Sequence, residues 1–370
     1  MQKLFYSELC DYLCFHGRTL TDDRRHAVFF NWTCSGFTCT FTGKTLTATL
    51  LGIPSSNIAG PDQPDEYPYI GITTEGSAGE RSRALIHRFK VDASKHEYTL
   101  FSSDVEGPHT VRIVKLSENM RGKCGILDLK TDGSFIPHTA LHPVLRIEAV
   151  GDSITCGYGI EAPSPMAPFL PEEENGWITY AALASAALNA DFSTICVSGI
   201  SMEGFRFGEA MPMMPGMEDL YEFTDRIYES MDDTKTTFSR WDFQSHPVDA
   251  VIINIGTNDA NMIRMRGNEP VGEARFLEKY AAFLKKVRAL NGSKPHILCT
   301  LGPMDYYLYD VIRDAAARYQ AETGDQRVHC FKFGGIRPWS KQMASGHPSA
   351  AIHERMGHEL AAKLRAVLGF

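Results

Sequence analysis

The stretch Leu145-Arg146-Ile147-Glu148-Ala149-Val150-Gly151-Asp152-Ser153-Ile154 decides how this chain is read. Residues 145–150 form an apolar, strand-like run. Gly151 lets the backbone turn, and Asp152 and Ser153 follow at the carboxyl end of the strand. In open α/β sheets that end is where ligands bind. The same Gly-Asp-Ser is also ordinary turn chemistry, because Asp and Ser commonly stop strands. Downstream, further strand-like runs at 192–197, 249–255, 296–301 and 328–333 alternate with amphipathic stretches at 177–189, 273–290, 309–323 and 350–368. Strand-helix alternation predicts a parallel sheet with helices on both faces.

Upstream the texture differs. Phe37-Thr38-Cys39-Thr40-Phe41 alternates apolar and polar residues, Thr42-Gly43-Lys44 reads as a turn, and 46–50 follows, which is a hairpin pattern. More strand-like runs occur at 69–73, 84–91, 98–101, 109–116 and 125–129, separated by Gly, Asp and Pro clusters. No long stretch has helical period. Short strands at this spacing predict a β-sandwich or jelly roll. The expected organisation is therefore an all-β domain over 1–140 and an α/β domain over 141–370. Between 200 and 245 lies a long Met-, Gly- and charge-rich insertion containing Met211-Pro212-Met213-Met214-Pro215-Gly216-Met217. Segments of this kind often form lids or rims. An adaptable apolar wall and an oligomer contact are both compatible with its composition.

Composition bounds the role. The chain has 370 residues, 43% of them hydrophobic and 22% charged, which are ordinary globular values. Its net charge of -8 gives no basic footprint for nucleic acid or an anionic membrane. No run approaches a membrane span. Nine cysteines, an odd number with scattered spacing, suggest reduced thiols. Together with an N-terminus interrupted by Ser7, Glu8 and Asp11, they favour a cytoplasmic location. No CxxC pair supports a metal site.

Four short motifs carry chemistry. Ser153 is a candidate nucleophile. Ser198-Gly199-Ile200-Ser201 follows the second strand, where Gly199 can present its N–H to a ligand. Asn254-Ile255-Gly256-Thr257-Asn258-Asp259 follows the third, and Asn258 has a neutral amide suited to holding an oxyanion. Gly346-His347-Pro348-Ser349 opens the last helix, with Pro348 suited to its first turn. His347 there is a candidate general base. Each motif alone also fits a turn or a cap. Together they supply nucleophile, oxyanion donors and base, the kit for acyl transfer. His353, Glu354 and His358 do not form a zinc motif, because HExxH needs its second histidine where Gly357 stands. His353 and His358 read as helix-surface residues.

These blocks resemble the SGNH (GDSL-like) hydrolase superfamily. Trp32-Thr33-Cys34-Ser35-Gly36-Phe37, Phe41-Thr42-Gly43-Lys44-Thr45-Leu46 and Val111-Arg112-Ile113-Val114-Lys115-Leu116-Ser117-Glu118 are similar to the jelly-roll domain of carbohydrate esterase family 2. The resemblance implies a three-layer hydrolase domain behind a jelly roll. It also implies O-deacetylation of acetylated xylan or glucomannan and their fragments, with no metal or organic cofactor. By position, Ser153 is the nucleophile, His347 the base, and Ser153 N, Gly199 N and the Asn258 amide the oxyanion donors. The superfamily usually places Asp three residues before the histidine, but here Ala344 stands there. A Ser–His dyad is expected, with a main-chain carbonyl near 344–346 accepting from the ring. Asp305 is the rival orienter. Trp241, Tyr306 and Tyr307 are candidate sugar platforms, although ordinary core or rim packing is the better reading of each. A general SGNH lipase or thioesterase, a peptidoglycan O-acetylesterase and a carbohydrate-binding protein with a dead hydrolase domain are the competing readings.

Overall fold

A computed structural model describes residues 1–56, 65–75, 84–137, 145–204 and 215–370. The chain divides into two compact units. The first comprises Met1–His142, Glu174–Trp177 and Thr224–Ser239; the second comprises Pro143–Glu173, Ile178–Phe223 and Arg240–Phe370.

The first unit is an antiparallel sheet. Its strands are β1 (Gln2–Phe5), β2 (Leu13–His16), β3 (Leu20–Asp22), β4 (Ala27–Phe29), β5 (Gly36–Ile53), β6 (Tyr69–Glu75), β7 (His87–Lys90), β8 (His96–Lys115), β9 (Lys123–Thr131) and β10 (Phe135–Ile136). They run in the order β3-β4-β9-β5-β8-β6-β7, with β1 on β9, and β2 and β10 on β5. Alternate residues of β5 (Phe37, Cys39 and Phe41, then Leu46, Ala48 and Leu50) bury their side chains in one apolar cluster with Val111, Ile113 and Ile126. The period-two pattern thus does its expected work.

The hairpin expected at Thr42-Gly43-Lys44 does not form. The strand runs straight through it, with a register shift between Gly43 and Thr45. Asp132 Oδ1 accepts from Lys44 N at 2.8 Å and Thr45 N at 3.0 Å, so a carboxylate takes up the N–H groups that the irregularity frees. Gly43 sits at φ +114°, and a Cβ there would lie 2.4 Å from that same oxygen. The turn-like composition therefore marks a bulge. Likewise the runs at 98–101 and 109–116 are two parts of the single strand β8.

The two segments from beyond residue 140 are held in the first unit by buried polar groups. Asp225 accepts from Asn31 Nδ2 at 2.6 Å, Asn119 Nδ2 at 3.1 Å and Tyr228 N at 3.0 Å. Trp32 Nε1 donates to Thr224 O at 2.8 Å. Glu174 accepts from Glu118 N at 2.9 Å. Lys115 Nζ donates to the carbonyls of Ser117 and Glu118 at 2.8 and 2.6 Å. Burial pushes the Lys115 and Lys123 ammoniums down to about 8 and the Glu174 carboxyl up to about 8. The sequence gives no sign of the ties to Asp225 and Glu174, since Asn31, Asn119 and Glu118 are far from them along the chain.

The second unit carries five parallel strands, β11 (Arg146–Gly151), β12 (Asp191–Cys196), β13 (Ala250–Asn254), β14 (His296–Leu301) and β15 (Val328–Lys332), in the order β12-β11-β13-β14-β15. Its helices include α1 (Ser153–Cys156), α2 (Tyr180–Ala187), α3 (Thr257–Arg266), α4 (Glu269–Asn291), α5 (Tyr309–Thr323) and α6 (Ala350–Leu368). Strand order reverses after β12, so right-handed crossovers put α2 on one face and α4 and α5 on the other. The packing of α6 on α2, and of α5 on α4, agrees with this layering. The reversal places a topological switch point between β11 and β13. Helix α3 has no counterpart among the expected elements. Of the insertion, residues 205–214 lie outside the described residues.

All nine cysteines are free. Among the described residues, no helix is long and apolar enough to cross a membrane. No cluster of three potential metal ligands occurs among them either.

Candidate active site

Ser153, Gly199 and Asn258 follow β11, β12 and β13, three adjacent parallel strands. They therefore share the carboxyl edge of the sheet at the switch point. Ser153 is the first residue of α1, and Asp152 caps that helix by accepting Ile154 N at 3.0 Å. Gly151 is required by close approach, because a Cβ there would lie 1.9 Å from Thr155 Oγ1. That hydroxyl is bonded to Tyr180 OH at 2.8 Å. Burial pushes the Asp152 carboxyl up to about 7.

His347 meets Ser153 across the fold. Its Nε2 lies 2.8 Å from Ser153 Oγ, and its Nδ1 lies 3.1 Å from Ser345 O. The carbonyl lies within the 344–346 stretch to which the sequence pointed. Asp305, the rival, is engaged instead by the Arg264 guanidinium and by Tyr307 N at 2.8 Å. His347 is not fixed by the first turn of the last helix, as expected, since α6 begins at Ala350. It belongs to a small antiparallel pair, Met343–Ala344 with His347–Pro348. The turn between them has Ser345 at φ +45° and Gly346 at φ +74°. Its amides are tied down, Ser345 N to Ser164 O and Gly346 N to Pro165 O, both at 2.9 Å. With both ring nitrogens placed, the imidazole can accept the Ser153 proton through Nε2 while donating from Nδ1.

Gly199 sits at φ +79° with no atom within 4 Å of a Cβ built there. Asn258 Nδ2 donates to Ile200 O at 2.8 Å. A primary amide has two hydrogens, so one fixes the side chain to the Gly199 loop and the other remains available to a ligand.

The proposed sugar platforms are placed elsewhere or are occupied. Tyr306 donates to Phe333 O at 2.8 Å and lies under Lys332 Nζ, 4.5 Å from the ring centroid. Tyr307 lies under the Arg264 guanidinium at 4.6 Å. Both follow β14 and so sit toward the carboxyl edge. Trp241 packs on His246 with ring centroids 4.3 Å apart, in the segment that enters β13 at its amino end. None of these contacts involves Ser153 or His347.

Sequence reasoning missed two rings beside the base. Tyr158 lies 4.4 Å from the His347 ring, and Phe169 stacks on Tyr158 at 4.1 Å. The usable signal was proximity: Gly157 N and Tyr158 N both donate to Ser153 O, at 3.1 Å. His353 is also misread from sequence. It is buried at 1% exposure, not on the helix surface, and accepts Tyr180 N through Nδ1 at 3.1 Å. Burial pushes its pKa down to about 3. His358 is exposed.

Comparison with known proteins places these features. The GDSL-like Lipase/Acylhydrolase family profile matches residues 149–355, and the Carbohydrate esterase 2 N-terminal profile matches residues 15–138. A cellulase/esterase, CelE, of Acetivibrio thermocellus is 30% identical over 292 residues, covering 76% of this chain and 33% of that protein. An acetylxylan esterase / glucomannan deacetylase of Cellvibrio japonicus is 27% identical over 288 residues, 75% of this chain and 73% of that protein. The chain thus spans about a third of the length of the first relative and about three quarters of the second. The solved acetyl xylan esterase Est2A of Butyrivibrio proteoclasticus shares the fold with a TM-score of 0.82 at 21% identity, covering 100% of this chain and 98% of that one. The chain belongs to the GDSL-like lipase/acylhydrolase family and carries, ahead of its hydrolase unit, the N-terminal domain of carbohydrate esterase family 2.

Proposed function

We propose that this protein is a serine O-acetylesterase that removes acetyl groups from acetylated hemicellulose oligosaccharides, with a mannan, glucomannan or xylan backbone. The observation that carries the reading is the 2.8 Å contact between Ser153 Oγ and His347 Nε2, with Nδ1 facing the Ser345 carbonyl. The names of the relatives support the sugar ester as substrate.

In this reading Ser153 Oγ attacks the acetyl carbonyl carbon, and its proton passes to His347 Nε2. The carbonyl oxygen becomes an oxyanion held by Ser153 N, Gly199 N and the second amide hydrogen of Asn258. Collapse breaks the bond to the sugar oxygen, which takes the proton from His347 and leaves as an alcohol. Water then gives its proton to His347 and attacks the acetyl-serine. The second tetrahedral intermediate returns the proton to Ser153 Oγ and releases acetic acid. The Ser345 carbonyl holds the imidazole tautomer that this cycle needs and is favoured further when the ring is protonated.

The test is acetate release from acetylated mannan and xylan oligosaccharides, with the cleaved positions followed by NMR. Turnover that disappears in Ser153→Ala supports the reading. Inertness toward both substrates overturns its sugar part. Preference for long acyl esters over acetate would instead favour a lipase.

A further inference from the structure

We infer that Asp259 is a positioning residue for the oxyanion site, holding the Gly199 loop through the Met202 amide. This rests on the esterase reading above. Met202 N donates to both carboxylate oxygens of Asp259, at 3.0 Å to Oδ1 and 3.2 Å to Oδ2. The preceding residue, Asn258, donates to Ile200 O. Two consecutive side chains in the first turn of α3 thus grip one loop at two points, one by its carbonyl and one by its N–H. The loop between them and β12 carries Gly199.

Asp259 is buried at 6% exposure, and burial pushes its pKa up to about 7. A buried carboxyl persists where its hydrogen bonds matter. The carbonyls of this end of the loop are held separately, Ser201 O by Met217 N at 2.9 Å and Met202 O by Glu218 N at 3.2 Å, so Asp259 supplies the tie to the Met202 N–H. A cavity of about 50 Å³ lies beside it, lined by Met202, Glu203, Gly204 and Asp259 on one side and by Ile263 and Phe276 on the other. Displacement of Gly199 by about 1 Å is enough to cost about a hundredfold in rate.

The experiment compares Asp259→Ala and Asp259→Asn with the parent, measuring kcat and KM for a chromogenic acetate ester together with thermal unfolding. Asp259→Ala is expected to lower kcat by about tenfold to a hundredfold with KM within about twofold. Asp259→Asn keeps one acceptor oxygen and is expected to recover most of that loss. If Asp259→Ala lowers the unfolding midpoint while leaving kcat unchanged at a temperature where it is folded, the inference is overturned. A raised KM at constant kcat overturns it as well. Should the alanine variant not fold, Asp259→Leu, which keeps the shape but has no acceptor, carries the test: a kcat loss of about tenfold or more at constant KM supports it, and an unchanged kcat overturns it. Capture of Ser153 by a fluorophosphonate, whose oxygen occupies the same hole, is measured in parallel. Slow capture in Asp259→Ala, even where the parent hydrolyses no acetate ester, keeps this inference and sinks only the substrate assignment. Unchanged capture there overturns it.

Discussion

Both units bury titratable groups, but they use them differently. In the first unit, Asp225 and Glu174 accept from chain segments distant in sequence, while Lys115 holds the nearby Ser117 and Glu118 carbonyls. The result is a polar knot that ties 174–177 and 224–239 to the connections that follow β4 and β8. In the second unit, Asp152, Asp259 and His353 are buried as well, in the unit whose Ser153 hydroxyl meets the His347 imidazole. The difference teaches how one chemistry serves two ends. A buried network of this kind stabilises a particular arrangement. In the second unit, single buried ties of the same kind lie along the elements that carry the reactive group.

Substitutions can break this contrast or sharpen it. The largest effect is expected at Ser153→Ala, which should lower kcat at least a thousandfold, on the order of what loss of a catalytic serine costs, while leaving the unfolding midpoint near that of the parent. A large change in stability would show that Ser153 belongs to a closed network after all. Asp225→Ala should do the reverse. It removes the acceptor for two buried amides and a backbone N–H, and about 3–5 kcal/mol of stability should be lost in denaturant titration. Asn258→Ala comes next: one oxyanion donor is worth about 3–4 kcal/mol of barrier, and the tie to Ile200 goes with it. Its kcat should fall with little change in KM.

The most gradual effect is a pH slope. Burial lowers the His353 pKa from 6.5 to about 3. Between those values the unfolded chain binds a proton that the folded one refuses, so the stability contributed by neutral His353 is present above pH 6.5 and lost progressively as pH falls toward 3. Thermal unfolding from pH 7 downward should show this acid slope, and His353→Gln should flatten it. An unchanged slope in that variant would assign the acid sensitivity to other groups.

The sequence by itself determined the parallel sheet, several of its element ends and three of the four site positions along the carboxyl edge. Strands such as His296–Leu301 and helices such as Tyr309–Thr323 and Ala350–Leu368 are set by local periodicity, and period is a property of neighbouring residues. Reading was poorer in the first unit. Thr42-Gly43-Lys44 looks like a turn, and only Asp132, about ninety residues away, makes it a bulge. The short strands over Gln2–Phe29 were not read at all, because strands of three or four residues carry too little pattern. Within the site, the 2.8 Å meeting of Ser153 and His347, 194 residues apart, was inferred from motif resemblance, but its geometry belongs to the fold. The same holds for the Ser345 carbonyl, the Tyr158 ring and the Asp259 tether. Each depends on a backbone group or loop brought close by packing. Main-chain atoms are the same at every position, so only the tertiary structure could say which carbonyl and which N–H do the work.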